Sequence, residues 1–321
     1  MHGEQEITES VIIELISCRT MQRLKGIDQA GYFEPFFPGF TQSRFEHSLG
    51  VYLLLRKYDA SLSEQVAGLI HDVSHTAFSH CVDYLHRSGS GEKQDFQDNI
   101  FEDFVRSSEI PEILRKYNLS LDHILDDRNF PLKETKLPDL CADRIDYSLR
   151  TARVQNDFTA EEVDGILSHL TAQDNKWVFS DVHAARKFAE LFRVVNNKYF
   201  AGIESALMFK AVADYLRYAL EHSYMGDEDL FTTDRLVLEK IAPHHLHDKE
   251  LAHLFERMNN KIAYTNDPSN YETKIVCKAR IVDPLYQKGS EVRKLSETDF
   301  EWSVILKSEL KPKEYFLRFV S

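Results

Sequence analysis

The 321-residue chain has no long apolar run and no excess of positive charge. No stretch approaches the roughly 18 consecutive apolar residues that a membrane-spanning helix needs. The net charge of −13 argues against a dedicated binder of nucleic acids or membrane surfaces, because both partners are anionic and attract basic surfaces. The first residues, MHGEQEITES, also lack the basic and then apolar pattern of a signal peptide. We therefore expect a soluble protein with no membrane and no nucleic-acid polymer as partner.

Cysteine is scarce as well. The four cysteines form no CxxC pair and show no spacing typical of a disulfide framework. A reduced, cytoplasmic compartment is the natural inference, since disulfides persist mainly in oxidising compartments. A Walker-type glycine loop is also absent, so the sequence gives no support for ATP-driven chemistry.

Helical periodicity dominates what is present. Apolar residues recur at helical spacing over 8–25, through most of the chain to about 155, and again over 159–258. The stretch SGSGEK (88–93) predicts a flexible connection. From about residue 270 the segments KIVCKARIV and EYFLRFV alternate at period two, which is typical of strands. The sequence therefore predicts a mainly α fold with a small α+β C-terminal segment.

Two imidazoles and two carboxylates are the candidate metal ligands: His47, the adjacent pair His71 and Asp72, and Asp143. Each lies in a segment whose spacing predicts a helix. Mixed nitrogen and oxygen ligands suit a divalent metal that keeps open positions for water. Adjacent side chains on a helix diverge by about 100°, so ligands from neighbouring helices must complete the coordination sphere. The residues alone do not separate Asp143 from Asp146, which lies three positions later on a neighbouring face.

The order H…HD…D and its flanking segments resemble the HD-domain metal-dependent phosphohydrolases. The segments are MQRLKGIDQAG, PGFTQSRFEHSLGV, LIHDVSHTAFSH and LPDLCADRIDYSLR. They are similar to segments of deoxyguanosine triphosphate triphosphohydrolases and of the SAM-and-HD-domain dNTPase, over about residues 2–155. The resemblance implies an HD-domain helical bundle with a mononuclear metal centre. It also implies that the first aspartate of CADRIDY, Asp143, is the fourth ligand.

Further histidines follow the HD pair. His75 lies four residues after His71, and Asp83 lies three residues after His80. A carboxylate beside an imidazole favours the charged imidazolium, which donates a proton to a leaving oxygen or holds a phosphate. The resemblance implies that His80 and Asp83 are catalytic and that His75 contributes by contacting phosphate. A capping network within SHTAFSH is the structural alternative.

Three residues are candidates for substrate binding. Arg44 precedes His47 by three residues and should project to the same side of a helix, where a guanidinium binds phosphate bidentately. The resemblance implies the same role, and it adds Gln29 beside a sugar and Tyr147 near the sugar or phosphate. A surface salt bridge for Arg44 and plain core packing for Tyr147 are the alternatives.

Two departures from the family pattern bear on the chemistry. Gln97 and Asp98 stand where relatives often carry a His-Glu pair, and glutamine does not transfer protons as histidine does. Hydrolysis is then expected to be slower, or to rely on His80 alone for the proton. Thr151 stands where the dNTPase relatives place an aspartate at the sugar. These departures favour a nucleotide-type phosphate whose leaving group stays open.

We therefore predict a metal-dependent phosphohydrolase that cleaves a nucleotide or a related small phosphate ester through a metal-activated water. dNTP triphosphohydrolysis in the narrow sense stays open, as does a regulatory protein that binds metal and nucleotide with weak turnover. A two-iron oxygenase is a third alternative, in which His75 and His80 would supply extra ligands. The expected cofactor is one divalent ion among Mn, Fe, Mg, Co, Ni and Zn.

The resemblance also implies a homodimer or a higher homo-oligomer. We expect residues 1–158 to form the HD-domain core that holds the metal. Residues 159–260 would form a helical extension that completes the pocket, and residues 261–321 the small α+β segment.

Overall fold

The computed structural model describes residues 5–40, 42–85 and 93–320. The predicted flexible connection SGSGEK (88–93) lies outside the described residues except for its last position, Lys93. Within the described ranges helices account for most of the chain, so the predicted mainly α class is confirmed.

The elements follow one another along the described part of the chain. The α-helices are α1 (Ser10–Ser17), α2 (Arg19–Arg23), α3 (Arg44–Lys57), α4 (Leu62–Ile70), α5 (Phe96–Ser107), α6 (Ile110–Lys116), α7 (Leu121–Leu125), α8 (Ala142–Val154), α9 (Ala160–Ser168), α10 (Val182–Val195), α11 (Ile203–Glu221), α12 (Asp234–Ile241), α13 (Lys249–Met258), α14 (Leu295–Thr298) and α15 (Phe300–Glu309). Short 3-10 or π turns lie at Leu24–Gly26, Ser79–Tyr84, Asp127–Asn129, Asn196–Phe200, Asp227–Phe231 and Ala242–Leu246. The strands are β1 (Leu170–Gln173), β2 (Lys176–Phe179), β3 (Tyr264–Asn266), β4 (Thr273–Cys277), β5 (Leu285–Lys288), β6 (Glu291–Lys294) and β7 (Lys313–Phe319). The chain is therefore mainly rather than entirely helical.

Helix α3 packs against both α4 and α8 and carries two of the candidate site residues. It begins at Arg44 because Ser43 and Glu46 form a capping box. The Ser43 hydroxyl accepts a hydrogen bond from the Glu46 amide at 3.3 Å, and the Glu46 carboxylate accepts one from the Ser43 amide at 2.9 Å. Arg44 and His47 thus both lie in the first turn of the helix.

The HD pair lies just beyond a helix, which corrects the prediction of one continuous helix through AGLIHDVSHTAFSHCVDYL. Helix α4 ends at Ile70, and His71 and Asp72 follow it in a turn. Farther on, Phe78 and Ser79 adopt left-handed backbone conformations, with φ of 59° and 44°. The i, i+4 geometry expected for a helix therefore does not apply to this segment.

Contacts with distant parts of the chain explain why the helix ends there. The Ala77 amide donates to the Leu230 carbonyl at 2.7 Å, and the Phe78 amide donates to the Asp234 carboxylate at 2.7 Å. The Arg23 guanidinium donates to two further carbonyls of the same segment. Buried backbone groups need partners, and here those partners come from distant parts of the chain instead of from the same helix. Local periodicity does not reveal them.

The strands form two small sheets. Their strand orders are β1-β2-β5-β6 and β3-β7-β4. The hairpin β1–β2, which the periodicity did not predict, turns at Asp174 and Asn175 with φ of 49° and 58°. Residues of these types tolerate the positive φ that a two-residue hairpin turn requires.

The C-terminal strands predicted from alternation are present as β4 and β7, which pair antiparallel. Strand β2 pairs in parallel with β5 and so links the middle part of the chain to the C-terminal segment. The division at residues 158 and 260 stays a prediction. Among the described residues, no helix combines the length and apolar character needed to cross a membrane.

Candidate metal centre and phosphate pocket

The four predicted metal ligands converge on one point. His47 Nε2 lies 2.9 Å from Asp143 Oδ1 and 3.2 Å from His71 Nε2. His71 Nε2 lies 3.4 Å from Asp72 Oδ1 and 3.7 Å from Asp143 Oδ1. The donor atoms of His47, His71 and Asp72 lie close enough together to hold one divalent cation. The Asp143 carboxylate adjoins this group through its contacts with both imidazoles.

The outer nitrogen of each imidazole is held by a hydrogen bond. His71 Nδ1 lies 2.8 Å from the Gly68 carbonyl, and His47 Nδ1 lies 2.9 Å from Asp146 Oδ2. When Nδ1 carries the proton in each bond, both Nε2 lone pairs face the centre, which is the usual arrangement around a bound metal. The structure thus separates the two aspartates that the sequence left open. Asp143 faces the centre, and Asp146 stands behind His47.

Asp146 is fixed in turn by a close approach of two helices. Arg150 donates to both Asp146 carboxylate oxygens, at 2.9 and 2.8 Å, and the Asp146 side chain is fully buried. Gly50 on α3 faces this pair, and a Cβ there would collide with the Asp146 carboxylate and the Arg150 guanidinium. A glycine at this position therefore lets α3 and α8 approach closely enough for the contact between His47 and Asp146.

Electrostatic interactions within the cluster keep its carboxylates charged. Burial lowers the pKa of His47, but hydrogen bonds to Asp143 and Asp146 outweigh it and raise that pKa to about 9. Burial opposes ionisation of Asp72, yet the Arg44 guanidinium holds its pKa below the usual range. Hydrogen bonds from His47 and His71 likewise outweigh burial and lower the pKa of Asp143. The carboxylates thus stay charged, and a metal ion would replace the proton on His47.

The predicted catalytic residues lie beside this centre. His75 Nε2 is 3.4 Å from Asp72 Oδ1, and His80 Nδ1 is 3.1 Å from Asp83 Oδ2. The rings of His75 and His80 meet edge to face with centroids 5.2 Å apart. Burial lowers the pKa of His75, and Arg44 lowers it further. Burial also lowers the pKa of His80 and outweighs Asp83, so the charged imidazolium expected at His80 is not favoured.

The three predicted substrate-binding residues line the same pocket, and each carries a buried polar atom without a hydrogen-bond partner among the described residues. These atoms are Gln29 Oε1, Arg44 Nη2 and Tyr147 O–H. Arg44 is 3% exposed, so the alternative of a surface salt bridge does not apply. Its Nη1 donates to Asp72 Oδ2 at 2.6 Å, and its Nε donates to Ser79 Oγ at 2.8 Å. All three side chains line a pocket of about 390 Å³ that includes the metal cluster.

Sequence reasoning missed several polar residues of this pocket: Gln94, Glu134, Lys136, Arg144, Lys278 and Arg280. Arg144 could have been noticed because it directly follows Asp143. Lys278 and Arg280 alternate in KIVCKARIV, but no local signal shows that this C-terminal segment reaches the HD helices.

The residues at which the sequence departs from the family pattern lie in different parts of the structure. Gln97 and Asp98 line the pocket, and burial raises the pKa of Asp98 to about 6. Thr151 is fully buried, and it is not among the residues that line the pocket.

A second group of potential ligands shares Asp143 with the first. It comprises Glu134, Cys141 and Asp143. Arg144 Nη2 lies 3.0 Å from Glu134 Oε1, and Arg144 Nη1 lies 3.0 Å from Cys141 Sγ. Because this guanidinium already neutralises the group, a metal ion is disfavoured there.

Comparisons with known proteins agree with this geometry. The family model described as HD domain matches residues 44–150. The uncharacterized protein YdhJ of Bacillus subtilis is 33% identical over 285 residues, which cover 88% of this chain and 86% of YdhJ. The metal-dependent phosphohydrolase cns2 of Cordyceps militaris is 37% identical over 175 residues, or 54% of this chain and 49% of cns2. The chain belongs to the HD-domain phosphohydrolase superfamily.

As a member of that superfamily the chain is a phosphohydrolase. The deoxynucleoside triphosphate triphosphohydrolase SAMHD1 of Gallus gallus is 34% identical to this HD-domain phosphohydrolase over 142 residues, or 38% of this chain and 23% of SAMHD1. A hypothetical protein from Aquifex aeolicus shares the fold, with a TM-score of 0.70 at 20% identity, over 98% of this chain and 93% of that one. A phosphohydrolase from Bacteroides thetaiotaomicron shares it with a TM-score of 0.68 at 17% identity, over 98% and 96%.

Proposed function

We propose that this HD-domain phosphohydrolase cleaves a nucleotide or a related small phosphate ester with one divalent cation held by His47, His71, Asp72 and Asp143. The observation that carries the proposal is the set of buried, unpartnered polar atoms beside the metal cluster. A buried polar atom without a partner costs free energy, and a ligand that pairs with it recovers that cost. A divalent cation bound there would supply an activated water and polarise a phosphoryl oxygen.

The side chains around the cluster have separate tasks. Arg44 is held by Asp72 through Nη1, which leaves Nη2 free to donate to a phosphoryl oxygen. His75 adds a contact to the same phosphate. As the water oxygen bonds to phosphorus and the bond to the leaving oxygen breaks, His80 supplies the proton that the leaving oxygen takes. One proton of the attacking water stays on the phosphate product, and the other passes to solvent. His80 is neutral in the buried pocket, but an adjacent phosphate dianion favours its protonated form, and Asp83 keeps the ring oriented.

The pocket also offers groups suited to a nucleoside. Gln29 Oε1 accepts a hydroxyl hydrogen, and the Tyr147 hydroxyl donates or accepts. Phe200 and Leu137 add apolar surface to the lining. The similarity to SAMHD1 supports a nucleotide substrate. The proposal does not extend to dNTP triphosphohydrolysis in the narrow sense, because buried Thr151 replaces the aspartate that those relatives place at the sugar.

Three expectations from the sequence stay predictions. They are the assembly into a homodimer or a higher homo-oligomer, the cytoplasmic location, and the three-part division of the chain.

Product analysis on metal-reconstituted protein tests the proposal. A panel of dNTPs, nucleoside monophosphates and cyclic dinucleotides would be incubated with each divalent metal, and orthophosphate, pyrophosphate and tripolyphosphate would be quantified. Arg44→Ala should lower turnover of the substrate found, whereas Arg56→Ala, at the far end of the same helix, should leave it unchanged. Arg56 is a matched control because it donates to the Glu6 carbonyl, away from the pocket.

The possible outcomes separate the alternatives. Release of tripolyphosphate from a dNTP would establish the narrow subclass, and its absence for every dNTP would exclude that subclass alone. Tight nucleotide binding without hydrolysis under any metal would contradict the proposal and favour the regulatory alternative.

A further inference from the structure

Two basic residues line the pocket without a direct ion pair among the described residues. Lys278 and Arg280 follow strand β4, are half-buried and line the pocket. In the part of the chain that the structure describes, neither forms an ion pair. Arg280 Nη2 donates to the neutral amide oxygen of Gln94 at 2.7 Å.

Two other basic residues of the same C-terminal segment form ion pairs. Lys294 lies 2.7 Å from Asp139, and Arg293 lies 2.6 Å from Glu291. Lys278 and Arg280 instead act on each other as like charges: burial lowers the pKa of Lys278, and Arg280 lowers it further, although the nearby carboxylates of Asp98, Asp83 and Asp95 oppose this. Like charges that are partly withdrawn from water destabilise a structure unless an anion joins them.

The pair also occupies a defined position relative to the proposed catalytic residues. Arg280 is a charged neighbour of both His80 and Tyr147. Strand β4 is tied to the turn that carries His80, because Tyr84 at the end of that turn donates to the Val276 carbonyl at 2.8 Å. Gln94 links the two parts again through its contacts with the Tyr84 hydroxyl and with Arg280. The basic pair is thus held at a fixed place in the reaction pocket.

We propose that Lys278 and Arg280 bind a second phosphoryl group of the substrate, separate from the one cleaved at the metal cluster. The inference rests on the proposed function and narrows its substrate to small molecules with at least two phosphoryl groups. A guanidinium and an ammonium together match the charge of a phosphate dianion. The planar guanidinium also donates two parallel hydrogen bonds, which fix the orientation of the phosphate. The C-terminal segment then acts as a specificity element for the HD-domain pocket.

Binding measurements with inert phosphate analogues test this assignment. Orthophosphate and a series of alkylene bisphosphonates with linkers of increasing length would be titrated calorimetrically into Mn²⁺-loaded protein. The bound metal would be measured after each titration, because bisphosphonates chelate cations. The proteins are the unsubstituted chain, the double variant Lys278→Ala/Arg280→Ala, and Arg318→Ala as control. Arg318 lies on β7 of the same sheet and bonds to Asn270 rather than facing the pocket.

The inference predicts a difference between the two kinds of ligand. The unsubstituted protein and Arg318→Ala should bind the best-fitting bisphosphonate at least about tenfold tighter than orthophosphate, whereas the double variant should lose that advantage and keep its orthophosphate affinity. The charge-keeping variant Lys278→Arg/Arg280→Lys should retain most of the advantage, which excludes misfolding as the cause of a loss.

Two results would overturn the inference. One is a bisphosphonate affinity no greater than that of orthophosphate for every linker in the unsubstituted protein. The other is an equal loss of affinity for orthophosphate and for the bisphosphonates in the double variant. Failure of the proposed function would look different, since orthophosphate would then not bind the metal-loaded, unsubstituted protein at all.

Discussion

The metal side and the substrate side of the pocket differ in how their polar atoms are satisfied. At the metal side His47, His71 and Asp143 all have hydrogen-bond partners within the protein, and Asp146 and Gly68 hold the two rings from behind. At the substrate side Gln29, Arg44 and Tyr147 each present a polar atom without a partner among the described residues. The hydrogen bonds orient the side chains of the first side before any substrate arrives, whereas we expect a ligand to complete the second.

The two sides meet at Asp72, which contacts the metal side through His71 and the substrate side through Arg44. Substitutions at the metal side should therefore lower metal affinity and stability together. Substitutions at the substrate side should change substrate affinity with little change in stability. The four predictions below use this contrast.

The largest effect is expected for Asp72→Asn. This change removes a ligand and leaves the buried Arg44 guanidinium without its counterion, so turnover should fall on the order of a thousandfold or more. Loss of one partner from a buried pair should also lower the free energy of unfolding by about 3–5 kcal/mol. Asp122→Asn is the matched control, because its pair with Arg106 is exposed and should be worth little. Turnover assays and chemical denaturation measure both effects, and a stable, active Asp72→Asn protein would contradict the account.

Gly50→Ala should lower metal affinity and stability although Gly50 is not itself a metal ligand. The new methyl group would push against the Asp146 carboxylate and the Arg150 guanidinium. We expect a loss of about 1–3 kcal/mol in stability from overpacking and a loss of about 10–100-fold in metal affinity from misorientation of His47. Gly165→Ala, on an exposed helix position with open space around it, should instead stabilise by about 0.5–1 kcal/mol. Equal behaviour of the two variants would show that close helix approach is not what orients His47.

Tyr147→Phe should weaken substrate binding without lowering stability, in contrast to Gly50→Ala. Its hydroxyl has no partner to lose, so the midpoint of thermal unfolding should not fall, whereas KM should rise by about threefold to tenfold through one lost substrate hydrogen bond. Tyr199→Phe is the converse control, because that hydroxyl donates to Asp157 at 2.6 Å outside the pocket. It should lower stability by about 1 kcal/mol and leave KM unchanged. A loss of stability with unchanged KM in Tyr147→Phe would favour the core-packing alternative.

The smallest predicted effect is the release of a proton when the metal binds. The folded-state pKa of His47 is raised to about 9, so in metal-free protein at pH 7.5 the ring is protonated, and this stabilisation is lost as the pH rises through 9. A metal ion needs the unprotonated nitrogen, so binding should release about one proton at pH 7.5 and none well above pH 9. Calorimetry in buffers of different ionisation enthalpy measures the release. The same count at both pH values would contradict the raised pKa.

The sequence predicts the elements whose signals are local. The segment around His47, predicted as a helix, is α3, which begins at Arg44, and the alternating segments that contain β4 and β7 form strands. The mainly α class follows from the same periodicity.

Features that depend on distant contacts could not be predicted in this way. Helix α4 ends at Ile70, and the amides of Ala77 and Phe78 in the segment that follows bond to Leu230 and Asp234. The hairpin β1–β2 escapes detection because its strands have only four residues each. The placement of Lys278 and Arg280 in the pocket depends on how the C-terminal sheet packs, which no local pattern encodes.

The central claim is tested most directly by measuring bound metal and phosphoester turnover together in the unsubstituted protein and in His71→Ala. His183→Ala serves as control, because that histidine is exposed on α10. The account predicts one equivalent of metal and chelator-sensitive turnover in the unsubstituted and control proteins, and loss of both in His71→Ala. Turnover that survives in His71→Ala, or that persists after the metal is removed, would contradict it, and two equivalents of iron would favour the oxygenase alternative.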